Sequence, residues 1–248
     1  MRILNWNTQW LGPRSRGGRY QAARALIAGH EADVVCLTEA RAELMPSGGQ
    51  TIMSERSGAG AIENSGGRKV VLWSRRRWRN VDTLGSPELP EGRFVRAETE
   101  VSGQTWTFVG KCIPYHAYRT GEAWIPNRLK AWEGACRYLD ALREDVLPKL
   151  RNRERVVLLG DFNLQIPPFG YPRAGSEVDQ KRRATFGGWL IPTSGIHRGF
   201  IDHVAMSTDL RVDCLRFISK IAPDGQRLSD HNGVCLDVEI VIQPKAPA

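Results

Sequence analysis

The stretch RVVLLGDFN (155–163) sets four apolar residues between an arginine and a glycine, then ends in Asp161, Phe162 and Asn163. A short continuous apolar run of this kind reads as a strand buried on both faces. Gly160 marks where it breaks into a loop. The polar pair Asp161 and Asn163 therefore falls at a strand end. In α/β proteins, strand ends and the loops on them line the functional crevice.

The same grammar recurs outward along the chain. Asn7 follows RILNW (2–6), Glu39 follows ADVVCLT (32–38), and His116 follows FVGKCIPY (108–115). Asp202 lies inside GFIDHV (199–204), and Asp230 and His231 precede GVCLDVEIV (233–241). A core-facing strand has no structural need for polar groups at such ends. Asp230 and His231 are neighbours, and neighbouring side chains on a regular strand point to opposite faces. The pair is therefore expected on the turn entering the last strand.

Further strands are expected at KVVLWS (69–74), RFVRAETEV (93–101), QTWTFVGKCI (104–113) and LRVDCLRFI (210–218), with SG as a hairpin turn between the second and third. Helical spacing appears in RYQAARALIAGH (19–30) and in NRLKAWEGACRYLDALREDVL (127–147). In the longer of these, Leu129, Trp132, Ala135, Cys136, Leu139 and Leu142 form the apolar stripe. Strands outnumber helices, and hairpins mix with helical crossovers. This predicts an α/β fold with two packed sheets and helices outside. No linker divides the chain, so one domain is expected over 1–243 with a short tail over 244–248.

Composition is that of a globular protein, 41% hydrophobic and 25% charged, with a net charge of +8. A basic balance favours polyanionic partners. Cations concentrate in RKVVLWSRRRWR (68–79), which reads as a solvated edge strand, and in KLRNRER (149–155). Five cysteines without CxxC spacing argue against a disulfide framework or a zinc site and fit a reducing cytoplasm. MRILNW begins strand-like structure at once, so no targeting segment is expected, and no apolar run reaches the ~18 residues of a membrane span. A cytoplasmic monomer is expected.

Asn, Glu and Asp supply hard oxygen ligands, which suit magnesium or manganese rather than zinc. A histidine beside them can move protons or hold a phosphoryl oxygen. Such a set suits phosphate-ester cleavage, where a cation neutralises charge building on the phosphoryl oxygens.

In order and rough spacing, LNWNTQWL, DVVCLTEA, LLGDFN, FIDHV and LSDHNGV resemble the endonuclease/exonuclease/phosphatase superfamily, which includes deoxyribonuclease I and exonuclease III. The resemblance runs from the first strand to the last. It implies a four-layered α/β sandwich, two packed mixed β-sheets flanked by helices, and metal-dependent phosphoester hydrolysis. It gives Glu39 the role of main metal ligand, with Asn7 holding metal or phosphate and Asp230 on the metal or histidine side. Asp161 would position or activate the attacking water, and Asn163 would contact phosphate. Asp202 would orient His231, which serves as general base or phosphate stabiliser.

Departures from the pattern are Thr38, where the family has glutamine, and His203, where it has tyrosine. Tyr115 and His116 compete for a phosphate-contacting position after the middle strand, with His116 preferred. Arg93 resembles an arginine some members carry. His203 alternates away from Asp202 and reads as a surface residue.

The branch of the superfamily bears on the substrate. HRGFIDHV lacks the tryptophan-threonine-aspartate-arginine signature of phosphoinositide phosphatases. In NTQWLG the glycine comes five positions after Asn7, which does not support abasic-site specificity. A nuclease acting on DNA or RNA is expected, ahead of a hydrolase of small or lipid phosphate esters and of a non-catalytic nucleic-acid binder. The stretch DQKRRATFGGW (179–189), following a loop with Pro167, Pro168, Phe169 and Tyr171, offers Lys181, Arg182 and Arg183 to phosphates and Phe186 or Trp189 to a base. YHAYRTGEAW (115–124) is a second aromatic and basic candidate.

Overall fold

A computed structural model of the protein describes residues 1–58, 61–117, 130–169 and 172–241. The strands are β1 (Arg2–Asn7), β2 (Val34–Arg41), β3 (Gln50–Met53), β4 (Gly67–Ser74), β5 (Arg79–Asp82), β6 (Phe94–Val101), β7 (Gln104–Cys112), β8 (Val156–Asp161), β9 (Val204–Met206), β10 (Leu210–Ile218) and β11 (Gly233–Ile240). The helices are α1 (Arg19–Gly29), α2 (Ala61–Asn64), α3 (Glu133–Ala141) and α4 (Glu177–Phe186).

One sheet has six strands in the order β10-β11-β1-β2-β4-β3, and the other has five in the order β5-β6-β7-β8-β9. Both are mixed: β1–β2 and β7–β8 are parallel, and the remaining pairs are antiparallel. Residue parity builds the layers. Ile3, Cys36, Leu72, Phe108, Val157 and Leu159 pack between the sheets. Leu4, Trp6, Val35 and Leu37 turn the other way, onto Tyr20, Ala23 and Ile27 of α1. Val109, Val156 and Leu158 turn outward from the second sheet onto Tyr138, Leu139, Val178 and Phe186 of α3 and α4. The result is the four-layered α/β sandwich with two mixed sheets.

Parity also carries polar groups into the inter-sheet layer. Asn5 and Asn7 share the face of Ile3, and Asp161 shares that of Val157 and Leu159. Buried Asn5 bridges the two sheets, its Nδ2 donating to Gly160 O at 3.2 Å and His203 O at 3.3 Å. Gly160 is required here. Its φ is +135°, and a Cβ would lie 1.9 Å from the carbonyl oxygen of Lys111.

Several expectations are corrected. The stretch 68–79 is not an edge strand: β4 lies inside its sheet because short β3 covers it, and Trp73 and Trp78 are buried. Residues 179–189 are mostly helix α4, with Asp179, Arg182 and Phe186 buried. The long helix is shorter, starting at Glu133 after Trp132 adopts a left-handed backbone and ending in a π turn (Leu142–Val146) and a 3-10 turn (Leu147–Lys149). Of the stretch GFIDHV (199–204), only Val204 lies in a strand, β9. Leu129, Tyr118–Trp124 of the second aromatic segment, Tyr171 and the 244–248 tail lie outside the described residues. All five cysteines are free. Among the described residues, no helix is long and apolar enough to cross a membrane.

Candidate active site

The C-terminal ends of β1, β2 and β8 meet the turn before β11. Asp161 closes β8, and its carboxylate is held from three sides. Asn163 N donates to Oδ1 at 2.8 Å, Asn163 Nδ2 donates to Oδ2 at 3.0 Å, and Asn7 Nδ2 donates to Oδ2 at 3.0 Å. Asn163 Nδ2 also reaches Ile113 O at 2.8 Å, tying the site to the loop after β7. The Asn7 amide turns its nitrogen to Asp161 because its oxygen accepts Gln9 N at 2.8 Å. In this arrangement Asn7 orients Asp161 rather than presenting an oxygen beside it.

Asp230 and His231 sit on the bend ahead of β11. Ser229 fixes that bend: its hydroxyl donates to Asn7 O at 2.7 Å and accepts His231 N at 3.1 Å. Trp6 Nε1 donates to His231 O at 2.9 Å. His231 Nδ1 donates to Asp202 Oδ2 at 2.6 Å, and its Nε2 lies 3.7 Å from Asp230 Oδ1. Asp202 Oδ1 is buried with no hydrogen-bond donor among the described residues.

Glu39 reaches the site by a break in alternation. Leu37 and Ala40, three residues apart, both face the α1 layer. The alternation slips by one at Glu39, whose φ is +46°. Gln9 (φ +51°), Trp10 (φ +59°) and Asn163 (φ +52°) share this left-handed conformation. Residues with side chains pay about 1–3 kcal/mol for it, and it clusters at functional sites. The Glu39 carbonyl accepts Trp10 N at 2.5 Å, and its carboxylate pairs with Lys69 Nζ at 2.6 Å.

Electrostatics follow from burial and crowding. Burial raises the Asp161 carboxyl, and the charges of Asp202 and Glu39 raise it further against the opposing pull of His231, to about 7. Asp202 is also raised by burial, with His231 opposing. Burial lowers His231, but the charge and hydrogen bond of Asp202, with Asp161 and Asp230, overcome it and push the imidazole up to about 10. His231 is thus a cation at neutral pH.

Asp161, Asp202 and His231 bring ligand atoms within 4.8 Å of one another. His231 Nδ1 donates to Asp202, and the raised imidazole keeps a proton on Nε2 as well, so the donors open to a cation are carboxylate oxygens. The orphaned Asp202 oxygen and the crowding that raises Asp161 fit a hard divalent cation.

The other expected residues fall as follows. Tyr115 and His116 are exposed on the loop after β7, their rings 5.9 Å apart, with His116 5.7 Å from Trp132. Arg93 is buried, donating to Cys112 O at 3.1 Å. On α4, Lys181 pairs with Asp140, while Arg182 and Arg183 pair with buried Asp179 at 2.6 and 3.0 Å. Trp189 packs on the α3/α4 core. His203 is not a surface residue: it is 1% exposed. Its Nε2 donates to Leu164 O at 3.1 Å, its Nδ1 faces Thr193 Oγ1 at 3.1 Å, and burial lowers its pKa to about 3.

Residues not anticipated from sequence are Lys69, Ser229 and Lys111. Lys69 faces Glu39 across the β2–β4 pair, a relation visible only once the register is known. Lys111 is fully buried, its Nζ 3.4 Å from the Phe162 ring centroid and without a hydrogen-bond partner among the described residues.

Residues 4–231 match the model of the Endonuclease/Exonuclease/phosphatase family. No curated protein matches the chain. Among solved structures, an AP endonuclease from Archaeoglobus fulgidus aligns with a TM-score of 0.68 at 13% identity, covering 97% of this chain and 100% of that one. The 3' phosphatase NExo from Neisseria, bound to product DNA hairpin, gives 0.66 at 19%, covering 96% and 99%. The human Nocturnin catalytic domain with bound sulfate anion gives 0.65 at 18%, covering 97% and 93%. At these identities the likeness is one of fold.

Proposed function

The chain belongs to the endonuclease/exonuclease/phosphatase family of phosphate-ester hydrolases, and from that premise we propose that it is a divalent-metal-dependent nuclease. Its substrate is DNA or RNA, cleaved by attack of water on a phosphodiester. The observation that carries this reading is the His231–Asp202 pair set against Asp161 at the strand ends. The net charge of +8 and the product DNA in the Neisseria relative support a nucleic-acid substrate.

Glu39 and Asp230, with Asp202 nearby, would hold magnesium or manganese. The bound cation would neutralise charge that builds on the phosphoryl oxygens. Asn7 and Asn163 fix the Asp161 carboxylate, whose raised pKa near neutrality suits a general base. Asp161 takes a proton from water as the water oxygen bonds to phosphorus. His231 enters as a cation, with Nδ1–H held by Asp202 and Nε2–H free to donate. It gives that proton to the leaving ester oxygen as the phosphorus–oxygen bond breaks. The positive His231 also holds the phosphate before the reaction, so this site favours the acid and phosphate-holding role over that of base.

The test is incubation with magnesium and either a labelled oligonucleotide or para-nitrophenyl phosphate. Oligonucleotide cleavage is expected. Turnover of the small ester alone would replace this reading with that of a small-ester phosphatase.

A further inference from the structure

Two cation-rich stretches stand far from the site: RRRWR (75–79) and KLRNRER (149–155). The fold brings them to one edge of the sandwich. The first leaves the end of β4 and enters β5, and the second enters β8. β8 runs from Val156 to Asp161, so at about 3.3 Å per residue its start lies roughly 17 Å from the site. On β4 the same edge is marked by the pairing of Ser74 with Val34, the first residue of β2, whereas Glu39 lies toward the other end of that strand.

Strand β6 joins the two stretches. Glu98 accepts Asn80 Nδ2 at 2.7 Å and pairs with Arg153. Arg79 pairs with Glu100 at 3.6 Å, and Arg155 Nε donates to Thr105 O at 3.0 Å at the start of β7. Arg75 pairs with Asp33 at 3.8 Å, and Arg155 with Glu154 at 2.8 Å. Each of these four carboxylates is thus engaged. Among the described residues, Arg76, Arg77, Lys149 and Arg151 enter no ion pair and donate no side-chain hydrogen bond. All four are exposed. Their apolar neighbours turn inward: Trp78 is 3% and Leu150 1% exposed.

Four unpaired cations, three of them guanidinium forks, match an array of phosphates. The two stretches offer no exposed large apolar side chain to enter a bilayer, so a polynucleotide fits them better than a membrane. We propose that this edge is a second nucleic-acid surface, which grips the phosphodiester backbone at a distance from the scissile bond through Arg76, Arg77, Lys149 and Arg151. The choice of a polynucleotide rests on the nuclease reading above. The surface tethers the enzyme to a long strand while the site on the opposite edge cleaves that strand elsewhere.

The test is the Arg76→Gln/Arg77→Gln/Lys149→Gln/Arg151→Gln variant, with binding to a long, labelled single-stranded oligonucleotide measured in EDTA across a salt series. Each phosphate contact contributes about 0.7 to the slope of log affinity against log salt for single strands. Four contacts make the expected loss of slope about 2.8, whereas Arg76→Lys/Arg77→Lys/Arg151→Lys should keep the wild-type slope. In magnesium, kcat/KM of the glutamine variant should fall about tenfold or more on the long strand. It should match wild type on a trinucleotide, which is too short to span the two edges. An unchanged slope would overturn the proposal and leave the nuclease reading standing. Loss of binding to anionic phospholipid vesicles without loss of slope would overturn it in favour of a membrane surface. An equal fall of kcat/KM on the trinucleotide would overturn it too, since the substitutions would then act through the fold. The expected loss of slope in a protein whose wild type cleaves no oligonucleotide would sustain this surface and sink the nuclease reading.

Discussion

His231 Nδ1 lies 2.6 Å from Asp202 Oδ2, although the two residues are 29 positions apart and His231 adjoins another aspartate, Asp230. Asp202 is buried two residues before β9, whereas Asp230 is partly exposed and stands 3.7 Å from the opposite ring nitrogen. The partner that orients the imidazole is the distant one.

Asp202→Asn should therefore strip His231 of its counter-charge while leaving an amide oxygen as the only acceptor. The His231 pKa is expected to fall from about 10, measurable by NMR titration of the ring protons. Turnover should fall by about 10²–10⁴-fold, and KM should rise as His231 loses the charge that holds the phosphate. The same substitution at Asp230 should leave the pKa much closer to its wild-type value.

The rate should depend on pH with two limbs. Asp161 must be deprotonated to accept a proton, and His231 must be protonated to donate one. With their pKa values near 7 and 10, kcat/KM is expected to rise through about 7 and fall toward about 10. A bound divalent cation shifts both limbs to lower pH. Asp161→Asn should abolish the acid limb along with most of the rate. A flat profile in wild type would exclude the two proton-transfer roles.

Gly160→Ala should be strongly destabilising. The added Cβ meets the Lys111 carbonyl oxygen at 1.9 Å, at a φ of +135° that side chains rarely adopt. A loss of about 3 kcal/mol or more is expected in denaturant unfolding. Gly175→Ala makes a useful comparison, because its φ is also positive but nothing lies within 4 Å of the added carbon.

Lys111→Met should stabilise the fold. Burial holds the Lys111 amine well below its usual range, and its Nζ lacks a hydrogen-bond partner among the described residues. Replacement by an apolar side chain of similar length should add about 1–3 kcal/mol at pH 7. The unfolded chain binds more protons than the native one between the depressed native pKa and 10.5. Wild-type stability therefore rises with pH in that window, and the advantage of the variant shrinks as pH approaches 10.5. Parallel unfolding curves from pH 7 to 10 measure this.

The legible parts of the sequence were those where one force decides. Apolar runs with polar ends marked the inner strands, because burial on both faces leaves few choices of residue. Asn7, Glu39, Asp161, Asn163 and the 230–231 turn stood out for that reason. Helix α4 was hidden because half of its residues, EVDQKRRATF, are charged and it shows its apolar face only when packed on α3. The stretch 68–79 read as an edge because β3, four residues long, was too short to register as its cover. His203 read as exposed because alternation was applied to a strand that starts one residue later, at Val204. Lys69 and Ser229 needed the register and the turn geometry, which depend on contacts far apart in sequence.

The most direct measurement is cleavage of an end-labelled oligonucleotide in magnesium by wild type and by His231→Ala, with EDTA as control. The expected result is wild-type cleavage that EDTA abolishes, and a rate at least about 10²-fold lower for His231→Ala. Cleavage by His231→Ala at the wild-type rate, or wild-type cleavage that EDTA does not touch, would contradict the assignment of this site.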